Sequence, residues 1–267
     1  MLCFPNAKIN LGLHVTEKRP DGFHNIETVF YPVPLKDALE AVVAREASFR
    51  QTGLKLTASA EENLVMKAYG LIARKQAVPP LEIYLKKAIP PGAGLGGGSS
   101  DAAFTLRLVN DLCNFRIADS RLEKMAATLG ADCPFFIRNM PVIATGTGNV
   151  FKPVSVSLKD YTLYIVKPPV TVSTPEAYAA VKPQKPSFSL DELPSIPVPE
   201  WKNVLRNDFE PSVFDKYPVI REIKDKLYAL GAEYASMSGS GSAVYGLFTK
   251  AVPSAFPKCF VWKGKLL

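Results

Sequence analysis

The chain has 267 residues, 47% of them hydrophobic and 21% charged, with a net charge of +7 and an isoelectric point near 9.1. That balance excludes a disordered chain and suits one large domain or two modest ones, while the scattered Lys and Arg fit small anionic substrates as well as nucleic acid. No run approaches 18 apolar residues and MLCFPNAKINLGLHV lacks the makings of a secretory leader, so a cytoplasmic protein without membrane contact is expected.

In AKINLGLHV, Ile9, Leu11, Leu13 and Val15 alternate with polar or small residues, and NIETVFYPV follows the turn KRPDGFH, which predicts two paired strands. Leu64, Ala68, Leu71 and Ile72 fall at helical spacing between Glu62 and Gln76, and LEIYLKKAI reads as a strand running into Pro90 and Pro91. A second helix is expected from about Ser100 to Leu112, carrying Phe104, Leu108 and Leu112, with Asp101 placed to favour its positive end. Ser120 and Glu123 form a capping-box pattern before Leu122, Met125, Ala126 and Leu129; Gly130 offers a stop, and ADCPFF reads as a turn.

The segments VIATGTGNVFKPV and YTLYIVKPP are strand-like, and the proline-rich stretch from Lys182 to Trp201 reads as a surface loop. VIREIKDKLYALG reads as a helix, and YASMSGSGSAVYGLF as two strands about a glycine-serine turn. The sum is a mixed α+β chain in two lobes dividing near residue 155. Cys3, Cys113, Cys133 and Cys259 form no C-x-x-C pair and read as reduced, buried small hydrophobes; with only His14 and His24 beside them, no metal-binding residue is expected.

The stretch PPGAGLGGGSSDAA, 90–103, joins the strand to the second helix. A helix start exposes unpaired backbone N–H groups and partial positive charge, and glycines before it let the chain close on an anion. The pattern is no P-loop, because no lysine follows Gly97 and Gly98, and no dinucleotide fingerprint, because prolines interrupt the approach and no acidic residue ends a second strand. A flexible turn remains the alternative, although five glycines in the seven residues Gly92 to Gly98 would burden a mere connector.

PPGAGLGGGSSDAA resembles the phosphate-binding motif of the GHMP kinases, GSGSAVYGLF resembles their C-terminal glycine motif, and LGADCPFF also matches. PNAKINLGLHV with RPDGFHNIETVF resembles the start of the branch that phosphorylates 4-diphosphocytidyl-2-C-methyl-D-erythritol. The resemblance implies a two-lobed α+β fold, with an N-terminal ATP-binding domain over 1–155, a C-terminal GHMP kinase domain over 156–267 and the active site in the cleft between them. It also implies ATP and Mg2+ as cofactors and a small cytidyl diphosphate substrate for a monomer or homodimer that binds no nucleic acid. Another GHMP kinase, such as a homoserine or mevalonate kinase, is the alternative enzyme; a nucleic-acid-binding protein on the same fold is the alternative of another class.

The resemblance makes Asp132 the base for the substrate hydroxyl and Lys8 the cation that stabilises the aspartate and the transition state, with Asn10 beside the reacting group. From spacing alone Lys8 and Asn10 share one strand face that could be a solvent-facing edge, and Asp132 could brace a turn. ATP would contact Asn63 and the loop Pro91, Gly92, Ala93, Gly94, Leu95, Gly96, Gly97, Gly98, Ser99 and Ser100, either serine lying near the metal; Asn63 is equally a helix cap. Phe23 and Tyr178 would flank cytosine and His24 bond its edge, against the plainer reading of ordinary packing; Phe23 stands where some members have tyrosine.

Overall fold

A computed structural model describes residues 1–55 and 62–266. In chain order the first elements are β1 (Leu2–Cys3), β2 (Asn6–Lys18), β3 (His24–Lys36), β4 (Ala38–Val43), β5 (Ser48–Gly53), α1 (Leu64–Ala73), β6 (Leu81–Lys87), α2 (Gly97–Leu112), α3 (Asp119–Ala127) and α4 (Phe135–Arg138). Then come β7 (Val142–Thr145), β8 (Val150–Pro153), β9 (Thr162–Lys167), α5 (Thr174–Ala180), α6 (Trp201–Val204), α7 (Glu210–Lys216), α8 (Pro218–Ala229), β10 (Tyr234–Met237), β11 (Val244–Phe248) and β12 (Phe260–Lys265).

Two compact units are interleaved in sequence. The first takes residues 1–7, 35–91 and 96–140. Its sheet has the order β1-β4-β6-β5, with the β5–β6 pair parallel and the others antiparallel. The two-residue period of β6 turns Leu81, Ile83 and Leu85 inward, and the same register carries Lys87 inward as well. Val65, Ala68 and Ile72 of α1 and Ala102, Leu106 and Val109 of α2 complete the apolar interior at helical spacing.

The second unit takes residues 8–34, 92–95 and 141–267. It holds two four-stranded sheets, β2-β3-β7-β8 and β10-β11-β9-β12. The registers run Thr28↔Ala144 between β3 and β7 and Tyr245↔Ile165 between β11 and β9. Leu13, Val15, Tyr164, Phe209, Ile223 and Met237 belong to its core.

The paired strands β2 and β3 and the helices near 64–76, 100–112 and 218–229 match expectation, and five local readings are corrected. α2 begins at Gly97, three residues early, because Gly96 at φ +69° supplies the left-handed turn that admits the helix. Ser120 does not cap α3; Ala118 is the N-cap, Asp119 puts the acidic charge in the first turn, and Glu123 pairs with Arg138 at 2.6 Å. The turn at ADC ends at Pro134, and Phe135, Phe136 and Ile137 enter α4 fully buried.

The proline-rich stretch is not merely a surface loop. It forms 3₁₀ turns over Leu190–Ser195 and Val198–Glu200, and Leu190, Leu193, Val198 and Trp201 are buried. Proline restricts φ to values these turns use, and the three-residue spacing of Leu190 and Leu193 aligns them on one side. All four cysteines are free, but only Cys133 is fully buried.

Candidate active site

The glycine stretch begins where β6 ends and closes at the first turn of α2. Three successive carbonyls in it are taken by protein donors: Ala93 O by Ala243 N–H at 3.1 Å, Gly94 O by Ser238 Oγ at 2.8 Å, and Leu95 O by Lys8 N–H at 2.9 Å. Gly94 has φ +74°, and a Cβ there would collide with the carbonyl oxygen of Ser238. Beyond it, the first bond inside the helix is Ser100 N–H to Gly96 O at 2.9 Å, so the N–H groups of Gly97, Gly98 and Ser99 have no intrahelical acceptor. A loop whose Ala93, Gly94 and Leu95 carbonyls are occupied, and which ends in helix-start N–H groups without an intrahelical acceptor, is chemically suited to an anion.

The two serines differ. Ser100 is fully buried and its Oγ has no hydrogen-bond partner among the described residues. Ser99 is half-buried and hydrogen-bonds the Cys133 sulfur; burial pushes that thiol up to about 11, and the bond from Ser99 opposes the rise. Asn63 is the N-cap of α1, its Oδ1 accepting from Val65 N–H at 2.9 Å, so its side-chain oxygen is already engaged in the helix.

Behind the loop lies an ion cluster that the sequence reading missed. Lys87 Nζ donates to Asp37 Oδ2 and, at 2.6 Å, to Asp101 Oδ2, while Asp37 Oδ1 accepts from the N–H groups of Ala88 and Ile89. Asp101 therefore does not serve the exposed positive end of α2 as expected; it faces inward, and its carboxyl is pushed up to about 8, chiefly by burial, against the pull of Lys87. The inward register of Lys87 after Leu85 was the available signal.

Lys8 and Asn10 are buried on β2, which removes the solvent-facing-edge reading. Lys8 Nζ donates to Asn10 Oδ1 at 2.7 Å and lies 4.8 Å from the Phe30 ring centre; Asn10 Nδ2 donates to Thr28 Oγ1 at 3.0 Å. These bonds fix the amide's orientation, so both side chains are held before any ligand arrives. Asp132 is half-exposed in the turn ahead of α4, beside buried Cys133.

Of the three residues expected around cytosine, the structure brings two together. His24 stacks on Tyr178 with centroids 5.0 Å apart and planes 23° from parallel, and Tyr178 meets Phe209 edge-on at 4.8 Å. Phe23 is 65% exposed, its N–H bonded to Asp21 Oδ1 in the turn between β2 and β3. Burial, aided by Lys18, lowers the His24 pKa and favours the neutral ring.

The family model for the GHMP kinases N terminal domain matches residues 63–139, and that for GHMP kinases C terminal matches residues 193–257. The chain belongs to the GHMP kinases. Among similar GHMP kinases, the 4-diphosphocytidyl-2-C-methyl-D-erythritol kinase of Parabacteroides distasonis is 60% identical over 100% of both chains. That of Bacteroides fragilis strain ATCC 25285 is 57% identical over 93% of this chain and 92% of its own. A crystal structure of 4-(cytidine 5'-diphospho)-2C-methyl-D-erythritol kinase superposes with a TM-score of 0.79 at 32% identity, covering 92% of this GHMP kinase and 90% of that chain. A homoserine kinase from Cytophaga hutchinsonii, at 18% identity and a TM-score of 0.59, shares the fold.

Proposed function

We infer that this GHMP kinase transfers the γ-phosphoryl group of ATP to the 2-hydroxyl of 4-diphosphocytidyl-2-C-methyl-D-erythritol. The observation that carries the acceptor is the near-full-length identity to relatives named for that substrate, at 60% and 57%. The occupied carbonyls of Ala93, Gly94 and Leu95 and the helix start that follows them support the same reaction class. Little covalent chemistry falls to the protein in such a transfer; alignment and charge stabilisation do most of the work.

Asp132 is proposed to accept the proton of the attacking hydroxyl and Lys8 to supply positive charge as negative charge builds on the transferred group, with Asn10 orienting the acceptor. The loop from Pro91 to Ser100 would cradle the triphosphate, and Asn63, buried with its side-chain oxygen capping α1, would lie near adenine. Cytosine would rest against the His24–Tyr178 stack, with Phe23 at the turn. Residues 1–155 and 156–267 would serve as the ATP-binding and C-terminal functional halves, in a cytoplasmic monomer or homodimer that binds neither membrane nor nucleic acid.

The residues fit a magnesium ion carried in by the triphosphate. Among the described residues no group of three acidic, histidine or cysteine side chains could hold a metal, while the unpartnered Ser100 Oγ and the half-buried Ser99 hydroxyl offer oxygen ligands at the loop. Bound there, magnesium would neutralise phosphate charge.

The test is to incubate the purified protein with ATP, magnesium and separate acceptors and to follow ADP release. Turnover of the cytidyl substrate is expected; turnover of homoserine or mevalonate with none of the cytidyl substrate overturns the assignment.

A further inference from the structure

We propose that Asn207 is a positioning residue for phosphoryl transfer, acting through the glycine-serine turn between β10 and β11; the proposal rests on the kinase reading above. Asn207 is buried and carries none of the proposed binding or catalytic roles. Its Nδ2 donates to Met237 O at 2.9 Å and to Gly239 O at 2.8 Å, and its Oδ1 accepts from Phe209 N–H at 3.0 Å. Both amide hydrogens are thus spent on the turn, one on the last residue of β10 and one inside the turn itself.

The backbone around Asn207 is gripped just as firmly. Leu13 N–H donates to Arg206 O and Asp208 N–H to Leu13 O, each at 2.9 Å, so the tripeptide lies along β2 as an isolated parallel bridge. Asp208 Oδ2 also accepts from Val15 N–H at 2.8 Å, and its other oxygen lies 3.6 Å from His14 Nδ1. Asn207 therefore ties the turn to the same strand that carries Lys8 and Asn10, three to five residues before Leu13.

What the turn touches gives this strut a consequence for chemistry. Ser238 Oγ bonds Gly94 O, and Gly239 packs so closely that a Cβ on it would lie 3.2 Å from Gly94 Cα and 3.5 Å from Asn10 Oδ1. A turn without its two amide anchors would shift relative to the glycine loop and to Asn10 together. Displacements of about 1 Å in such groups can cost about a hundredfold in rate.

Asn207→Ser keeps a side-chain acceptor for Phe209 N–H while removing the amide nitrogen that donates both bonds to the turn. Gly239→Ala displaces the turn by another route, at φ +57°, and keeps the test alive if the first variant fails to fold. Each is assayed with whichever acceptor the wild type phosphorylates, so a wrong acceptor assignment shows in the wild type and not in this comparison. The expected result is a fall of about 10- to 100-fold in kcat/KM for the acceptor, with the Kd for ATP held within about threefold and a cooperative melt retained. Wild-type kcat/KM per folded molecule in either variant, or equal losses toward ATP and acceptor that follow the unfolded fraction, would reduce Asn207 to a structural brace and overturn the proposal.

Discussion

Lys87 Nζ lies 2.6 Å from Asp101 Oδ2, and both side chains are shut away from solvent. The strand that enters the glycine loop and the helix that leaves it are joined by this one ammonium group, which also holds Asp37. Removing it as Lys87→Met would leave two carboxyls buried without their cation, so a loss of about 3–5 kcal/mol is expected, read from urea unfolding. A loss below about 1 kcal/mol would mean that solvent reaches the pair after all.

The same cluster sets a pH dependence. The Asp101 carboxyl, ordinarily at 3.8, is raised to about 8 by burial and by Asp37, with Lys87 opposing; the Cys3 thiol nearby is itself pushed up to about 12. A carboxyl raised in the folded chain keeps a proton that the unfolded chain has released. Its contribution to stability is therefore complete below 3.8 and is lost as pH rises to about 8. Asp101→Asn mimics the protonated form, so wild-type stability relative to that variant should decline between about pH 5 and about pH 8.5. Urea midpoints at the two values decide it; a constant or widening wild-type advantage contradicts the raised carboxyl.

Asp132→Asn should lower kcat by about 10²- to 10⁴-fold while leaving ATP affinity near that of the wild type, because a base acts in the chemical step. Steady-state ADP release and calorimetry with ATP give the two numbers. A folded variant with near-wild-type kcat would return Asp132 to the role of a turn residue.

Loop glycines separate ligand effects from folding effects. A Cβ at Gly97 would fall 2.8 Å from Ile89 Cγ2, whereas one at exposed Gly98 meets only Leu64 Cδ1 at 3.6 Å. Gly97→Val is therefore expected to lower the melting temperature, and Gly98→Val to leave it within a few degrees while weakening ATP binding by about tenfold or more through blocked approach to the helix N-terminus. If Gly98→Val binds ATP as the wild type does, the stretch is only a turn.

The stacked His24 and Tyr178 rings change what substitution at either should do. A hydrogen-bonding group at the base edge should favour the cytidyl substrate over its uridyl analogue by about 5- to 150-fold in kcat/KM. His24→Ala should shrink that ratio. Tyr178→Ala removes both a stacking face and the support of His24, so the effects of the two substitutions should be non-additive in a double-mutant cycle. An unchanged ratio in His24→Ala would hand base selection to the backbone of the turn.

Local chemistry by itself determined much of this protein: the hairpin of β2 and β3, the helices at α1, α2 and α8, and the hairpin around the glycine-serine turn all announce themselves through periods of two or 3.6 and through glycine placement. The resemblance of the glycine stretch was legible for the same reason, since closing a chain on phosphate needs a contiguous run of small residues before a helix start. Tertiary structure alone decided the rest. Lys87 meets Asp37 and Asp101 across 50 and 14 residues, and Asn207 reaches Gly239 across 32. The period of β6 turned Lys87 inward, but the identity of its partners leaves no periodic trace, because a buried polar side chain is satisfied by groups across space and not by its sequence neighbours. Likewise, prolines made 182–201 read as a loop, and only packing put Leu190, Leu193 and Trp201 inside.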